Sequence, residues 1–143
     1  PLPWPIDDEY VDHDCWCGMR GCLETYLAGP AVSAEYEKLS GKAMTVQEIA
    51  ANAHLDLAAQ CVLQAFEDRL ARALSQMITL IDPDAIVLGG GLSNLDRIYT
   101  NVPRKFSSFV FSSSPVKTLL LKPKYGDSSG VRGAAWLWGD GTA

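Results

Sequence analysis

Residues 82–94 read DPDAIVLGGGLSN. Asp82-Pro83 marks a helix end, because proline lacks an N–H and clashes with the turn before it. Ala85 to Leu88 is a short apolar run of strand type, and Gly89, Gly90 and Gly91 follow it directly. A helix is expected from about Ser93 or Asn94, passing Leu95 and Ile98, with Pro103 breaking or restarting it. A helix end, a strand, a glycine run and a new helix in succession predict an α/β fold.

Working outward, Asp56 to Ile81 is the clearest periodic element. Its spacing puts Leu57, Cys61, Ala65, Leu70, Ala73, Leu74, Met77, Ile78 and Ile81 on a core face. Gln64, Asp68, Arg72 and Gln76 fall on the opposite face, which is expected to be wet. Asp56 is placed to cap the start. Before it, Thr45 and Glu48 have capping-box spacing ahead of Ile49, Ala50 and Ala53. Ala31 to Leu39 reads as a helix closed by Ser40-Gly41, and Leu23 to Ala28 as a shorter one stopped by Gly29-Pro30. Downstream, Val116 to Leu121 is a second strand candidate. GDSSGVRGAAWLW (126–138) reads as a loop giving way to a helix from about Gly130 to Trp138, followed by a fraying tail. Helices around buried apolar strands are the expected architecture.

The chain has 143 residues, which suits one domain, and its 48% hydrophobic and 20% charged residues are ordinary for a soluble protein. A net charge of -5 argues against a nucleic-acid surface as its main business. No apolar run approaches the roughly 20 residues of a membrane-spanning helix, and no leader pattern opens the chain. The first residue is Pro1 rather than Met, so the sequence is expected to start inside a longer gene product or to have been processed.

Cys15, Cys17 and Cys22 crowd into CWCGMRGC, after the proline- and acid-rich stretch PLPWPIDDEYVDHD. A disulfide framework would spread its cysteines, and Cys15 and Cys17 are too close in sequence to bridge comfortably. The cluster fits a metal site in a reducing compartment, hence the cytoplasm. Gly18 and Gly21 let the backbone turn so that the sulfurs face one point, and thiolates are strong zinc ligands. The spacing alone leaves the fourth ligand open: His13 is within reach in sequence, although a lone histidine in an acidic loop is more often solvated. Cys61, on the apolar face of the long helix, reads as a small core residue. Glu24, two positions after Cys22, suits a helix start by its charge; alternatively it accepts hydrogen bonds from substrate hydroxyls.

The glycine run lacks the lysine and the spacing of a Walker A motif or a dinucleotide fingerprint. Free N–H groups at a helix start nevertheless suit a phosphate. A plain tight turn is the competing reading. The same two readings apply to Gly126, Asp127, Ser128 and Ser129.

In order and spacing these pieces resemble the ROK family. CWCGMRGCLE resembles its C-x-C-G-x-x-G-C-x-E signature, and DPDAIVLGGGLSN its C-terminal nucleotide motif. PLPWP and GDSSGVRGAAWLW resemble the fructokinase branch. The resemblance implies an actin-like ATPase, ribonuclease H-like fold in two lobes, with residues 1–128 in the C-terminal lobe, the zinc loop at 13–24, and residues 129–143 packing as helix and tail toward the N-terminal lobe. It implies structural zinc on Cys15, Cys17 and Cys22, Glu24 binding the sugar, and Gly89, Gly90 and Gly91 on the ADP side of the cleft. The fourth zinc ligand would be His13, water or a residue upstream of Pro1. The whole protein would phosphorylate a hexose with ATP and Mg²⁺, fructose first, with glucose, mannose or N-acetylglucosamine behind it, and would be a homodimer. The catalytic base would precede Pro1, so these residues alone should not turn over. A sugar-responsive ROK repressor with an upstream DNA-binding helix pair is the alternative. A small zinc-stabilised interaction domain ranks last.

Overall fold

The computed structural model describes residues 1–6, 9 and 13–137. Trp138, at the end of the expected last helix, and the tail after it lie outside the described residues. The elements run α1 (Glu24–Leu27), α2 (Gly29–Ser40), α3 (Val46–Asn52), α4 (Leu57–Ile81), β1 (Ala85–Val87), α5 (Asp96–Asn101), β2 (Leu119–Leu121) and α6 (Ser129–Trp136). Short 3₁₀ turns at Gly91–Asn94, Pro103–Ser108 and Gly126–Ser128 link them. The α/β expectation therefore holds.

Most boundaries follow local chemistry. Thr45 and Glu48 form the capping box reciprocally, with Thr45 N–H donating to Glu48 Oε2 at 2.8 Å. Gly41 closes α2 in the left-handed conformation at φ 71°. Asp56 accepts from the N–H groups of Ala58 and Ala59 at 2.8 and 3.3 Å, and from Tyr36 Oη at 2.6 Å. That capping residue thus also ties α4 to α2. Gly29-Pro30 does not stop α1 as expected. Ala28 turns extended at ψ 153° and ends it, while Pro30 sits in the first turn of α2, a position where its missing N–H costs nothing. Pro103 restarts the chain as the 3₁₀ turn Pro103–Ser108.

The core forms where α2, α3 and the Pro103–Ser108 turn pack on α4, with Val32, Tyr36, Ile49, Leu63, Val102 and Phe106 nearly inaccessible. Here the expected helix faces need correcting. Leu74 and Ile78 are buried, but Leu57, Met77, Ile81 and Cys61 are exposed, so Cys61 is no core residue. Val62, Leu63 and Phe66 carry the contact with the neighbouring elements instead. Arg72, assigned to the wet face, is only 2% exposed. Periodicity reads charge as a marker of solvent, and it cannot see that a distant segment supplies buried partners.

β1 and β2 pair in parallel, with Ala85 opposite Leu119, Ile86 opposite Leu120 and Val87 opposite Leu121. Ile86 and Leu120 face the helices, while Ala85, Val87, Leu119 and Leu121 are exposed. The expectation of buried strands thus holds for one face of the sheet only. α5 is fixed to α4 through Glu67, which is 2% exposed, pairs with Arg97 and accepts from Asn101 Nδ2 at 3.0 and 3.1 Å.

Candidate functional site

The cysteine loop is a miniature hairpin. Asp14 and Arg20 form an antiparallel bridge and an ion pair at 3.0 Å, and Gly21 N–H donates to the carbonyl of His13 at 2.8 Å. Cys15 N–H donates to Met19 O and Gly18 N–H to Cys15 O, both at 2.9 Å. Gly18 and Gly21 adopt φ of 83° and 65°, which a side chain resists. These turns bring the sulfurs of Cys15, Cys17 and Cys22 within 4.8 Å of one another, and Cys17 Sγ lies 3.6 Å from Cys22 Sγ. A tetrahedron with Zn–S near 2.3 Å has edges of about 3.8 Å, so the sulfur set fits zinc.

Among the described residues no fourth side chain has its ligand atom within that distance of all three sulfurs. The His13 ring instead stands edge-on to Tyr26, 5.2 Å between centroids. Hydrogen bonding divides the thiols electrically. The backbone N–H of Met19, then Cys15 and Cys22, hold the Cys17 thiol below its ordinary range. The hydrogen bond with Cys17, then that with Cys15, pushes Cys22 up to about 11.

Glu24 opens α1 immediately after the loop. It is exposed; its carbonyl accepts from Ala28 N–H at 3.2 Å, and its side chain makes no hydrogen bond to other described residues.

Gly89, Gly90 and Gly91 follow β1. Gly90 takes φ 78° and ψ 177°, a region essentially reserved for glycine. Its carbonyl accepts from Ser93 N–H at 3.0 Å and from Ser93 Oγ at 2.6 Å, which winds the next residues into a 3₁₀ turn rather than the expected α-helix start. A Cβ added at Gly89, Gly90 or Gly91 would meet nothing within 4 Å, so the backbone there is bare. Because the strands are parallel, both run out at one edge of the sheet, where α/β proteins bind ligands. There the turn after β1 packs on the Gly126–Ser128 turn that follows β2. Gly126, at φ 58°, sits so close that a Cβ on it would lie 3.5 Å from Asn94 Oδ1. Arg132 of α6 stacks over Tyr125 beside this turn, 3.9 Å from the ring centroid.

The fold therefore assembles two clusters: the cysteines with Glu24 at the head of α1, and the two glycine turns at the sheet edge. α1 itself packs on α2 and α4. Sequence reading missed the buried ion cluster on α4. Glu9, 7% exposed at its side chain, meets Arg69 Nε at 2.8 Å and Arg72 Nη2 at 2.6 Å. Arg72 Nη1 also donates to Trp4 O at 2.7 Å and to Pro3 O at 3.3 Å. Arg69 grips Glu35 of α2 with two bonds of 2.5 and 3.0 Å. Burial alone would raise the Glu9 carboxyl, but the hydrogen bonds from Arg72 and Arg69 outweigh it and bring it from 4.5 to about 2. The PLPWP stretch is thus pinned to α4, with Leu2 and Pro3 buried. The sequence signal was two arginines three residues apart, which looks the same on a solvated helix.

The sequence pattern of the ROK family matches residues 5–140. The N-acetyl-D-glucosamine kinase of Pasteurella multocida (strain Pm70) is 41% identical over 127 residues, covering 88% of this chain and 41% of that protein. The chain thus spans about two fifths of the length of that curated relative. Among solved structures, a ROK family glucokinase from Streptomyces griseus in complex with glucose and AMPPNP superposes with a TM-score of 0.70 at 23% identity, over 87% of this chain and 46% of that one. A ROK family transcriptional regulator, a homolog of the E. coli MLC protein, superposes with a TM-score of 0.65 at 24% identity, over 80% and 32%.

Proposed function

Because the chain belongs to the ROK family, we propose that it is the C-terminal part of an ATP-dependent sugar kinase. The observation that carries this reading is the meeting of the bare turn of Gly89, Gly90 and Gly91 with the Gly126–Ser128 turn at the carboxyl edge of the parallel strands. Gly89, Gly90 and Gly91 would offer the adenine nucleotide an approach to the backbone that no side chain obstructs. Zinc on Cys15, Cys17 and Cys22 would be structural. Its work is to fix the hairpin that leads into α1, so that Glu24 is presented as an acceptor for a sugar hydroxyl. Phosphoryl transfer is mostly positioning and charge stabilisation. The groups proposed here supply part of the positioning, and the catalytic base would come from elsewhere in the protein.

The 41% identical relative carries the N-acetyl-D-glucosamine name. That supports N-acetylglucosamine as the first sugar, ahead of the fructose favoured by PLPWP and GDSSGVRGAAWLW, and of glucose and mannose. α6 exposes Val131 and Trp136, and Leu137 at its C-cap is exposed as well, apolar surface that supports the reading of residues 129–143 as packing on another lobe. The kinase would act in the cytoplasm, as a homodimer. No helix among the described residues is long and apolar enough to cross a membrane.

The second reading, a sugar-responsive repressor, is favoured by the likeness to the ROK transcriptional regulator. One experiment separates them: sugar-dependent ADP release by the full parent protein over N-acetylglucosamine, fructose, glucose and mannose. Turnover on one sugar is expected. Zinc-loaded, folded protein that turns over none of them would favour the repressor, to be followed by DNA binding.

A further inference from the structure

The cysteine hairpin is closed at its base. Tyr26 Oη, on α1 just after the hairpin, donates to the backbone carbonyl of Glu9 just before it, at 3.0 Å. The Glu9 side chain is held at the same time by Arg69 and Arg72 of α4. The Arg69 guanidinium lies 5.6 Å from the centre of the Tyr26 ring, and its other bonds reach Glu35 on α2. Both arms of the hairpin therefore meet at a single buried clamp that three helices share.

We propose that this clamp, Glu9 with Tyr26, Arg69 and Arg72, sets the metal affinity of the cysteine hairpin without contributing a ligand. Three thiols on a free loop must be ordered when an ion binds, which costs backbone conformational entropy for each residue fixed. A base already tied by a hydrogen bond and an ion cluster removes part of that cost before the ion arrives. The coupling is reciprocal, so an ion at the sulfurs tightens the clamp in return. Tyr26, Glu9, Arg69 and Arg72 are thus positioning residues. The inference rests on reading the sulfurs as metal ligands.

The test is a zinc titration of the full parent protein against a chromophoric chelator, comparing wild type with Tyr26→Phe, Glu9→Gln and Thr45→Ala. Thr45 caps α3, away from the clamp, and its loss weakens the fold by an amount similar to one lost hydrogen bond. Tyr26→Phe is expected to bind zinc about fivefold more weakly and Glu9→Gln at least about tenfold more weakly, with Thr45→Ala unchanged. In the cobalt-loaded parent protein, the visible band of Tyr26→Phe should shift although every sulfur remains. Equal affinities in wild type and Tyr26→Phe overturn the proposal, as does an equal loss in Thr45→Ala. If Glu9→Gln does not fold, Tyr26→Phe decides. A wild-type parent protein that takes up no zinc removes the metal reading itself, an outcome distinct from tight binding that ignores the clamp.

Discussion

The cysteine hairpin and the glycine turn are built in opposite ways. The hairpin is local: residues 13–22 supply the bridge, both turn glycines and all three sulfurs. The glycine turn gains its setting from a segment more than thirty residues on, because only the parallel pairing of β1 with β2 brings Gly126 against Asn94. A local motif declares its chemistry through spacing. A motif completed by tertiary contact is ambiguous until the partner is known.

The sharpest way to break that contrast is Cys17→Ser. If the hairpin is a self-contained metal loop, zinc content measured by atomic emission falls from near one per chain to near zero, while binding of an ATP analogue to the parent protein is little changed. Loss of both together would mean that the two regions are one site.

Arg72→Met comes next. Removing one partner of a buried ion cluster costs about 3–5 kcal/mol, readable as a lowered urea midpoint. The loss should fall on the whole fold, since Arg72 anchors Pro3, Trp4 and Glu9 to α4. A midpoint unchanged within error would show that the N-terminal stretch is not held there.

Acid tests the same cluster from its other partner. The Glu9 carboxyl lies lower in the folded chain than in the unfolded one, at about 2 against 4.5. Its contribution is therefore complete above pH 4.5 and is lost as pH falls toward 2. That contribution is on the order of 3 kcal/mol. Thermal melts of Glu9→Gln across this window should show a flatter acid limb than wild type.

Substitutions in the glycine turn have the smallest effects. Gly90→Ala should cost about 1–3 kcal/mol because of its backbone region. Gly89→Ala and Gly91→Ala, where an added Cβ meets open space, should be within about 0.5 kcal/mol of wild type. If these two weaken nucleotide binding by the parent protein without changing stability, the bare backbone is there for the ligand. If they do neither, the turn is only a turn.

Legibility followed the same division. The caps at Thr45 and Asp56, the end of α4 and the cysteine cluster could be read directly, because each depends on residues within a few positions. The strand expected over 116–121 forms only at Leu119–Leu121, where β1 is present to pair with it. The buried face of α4 departs from its periodic reading at Arg72 and Cys61, because helical spacing cannot show which neighbours the fold brings to each side. The Glu9 clamp was invisible: its partners come from four separated stretches, and no spacing rule joins them.

The half-covered sheet has a consequence for how the chain behaves in a tube. Val87, Leu119 and Leu121 stand bare on one face, and among the described residues the outer edges of the two strands have no neighbour to pair with. Such edges template contact between molecules. The net charge of -5 opposes it by holding molecules apart. Salt near 0.1 M screens that repulsion beyond about 10 Å, so a dilute, low-salt solution of this chain should stay clear where a saline one clouds.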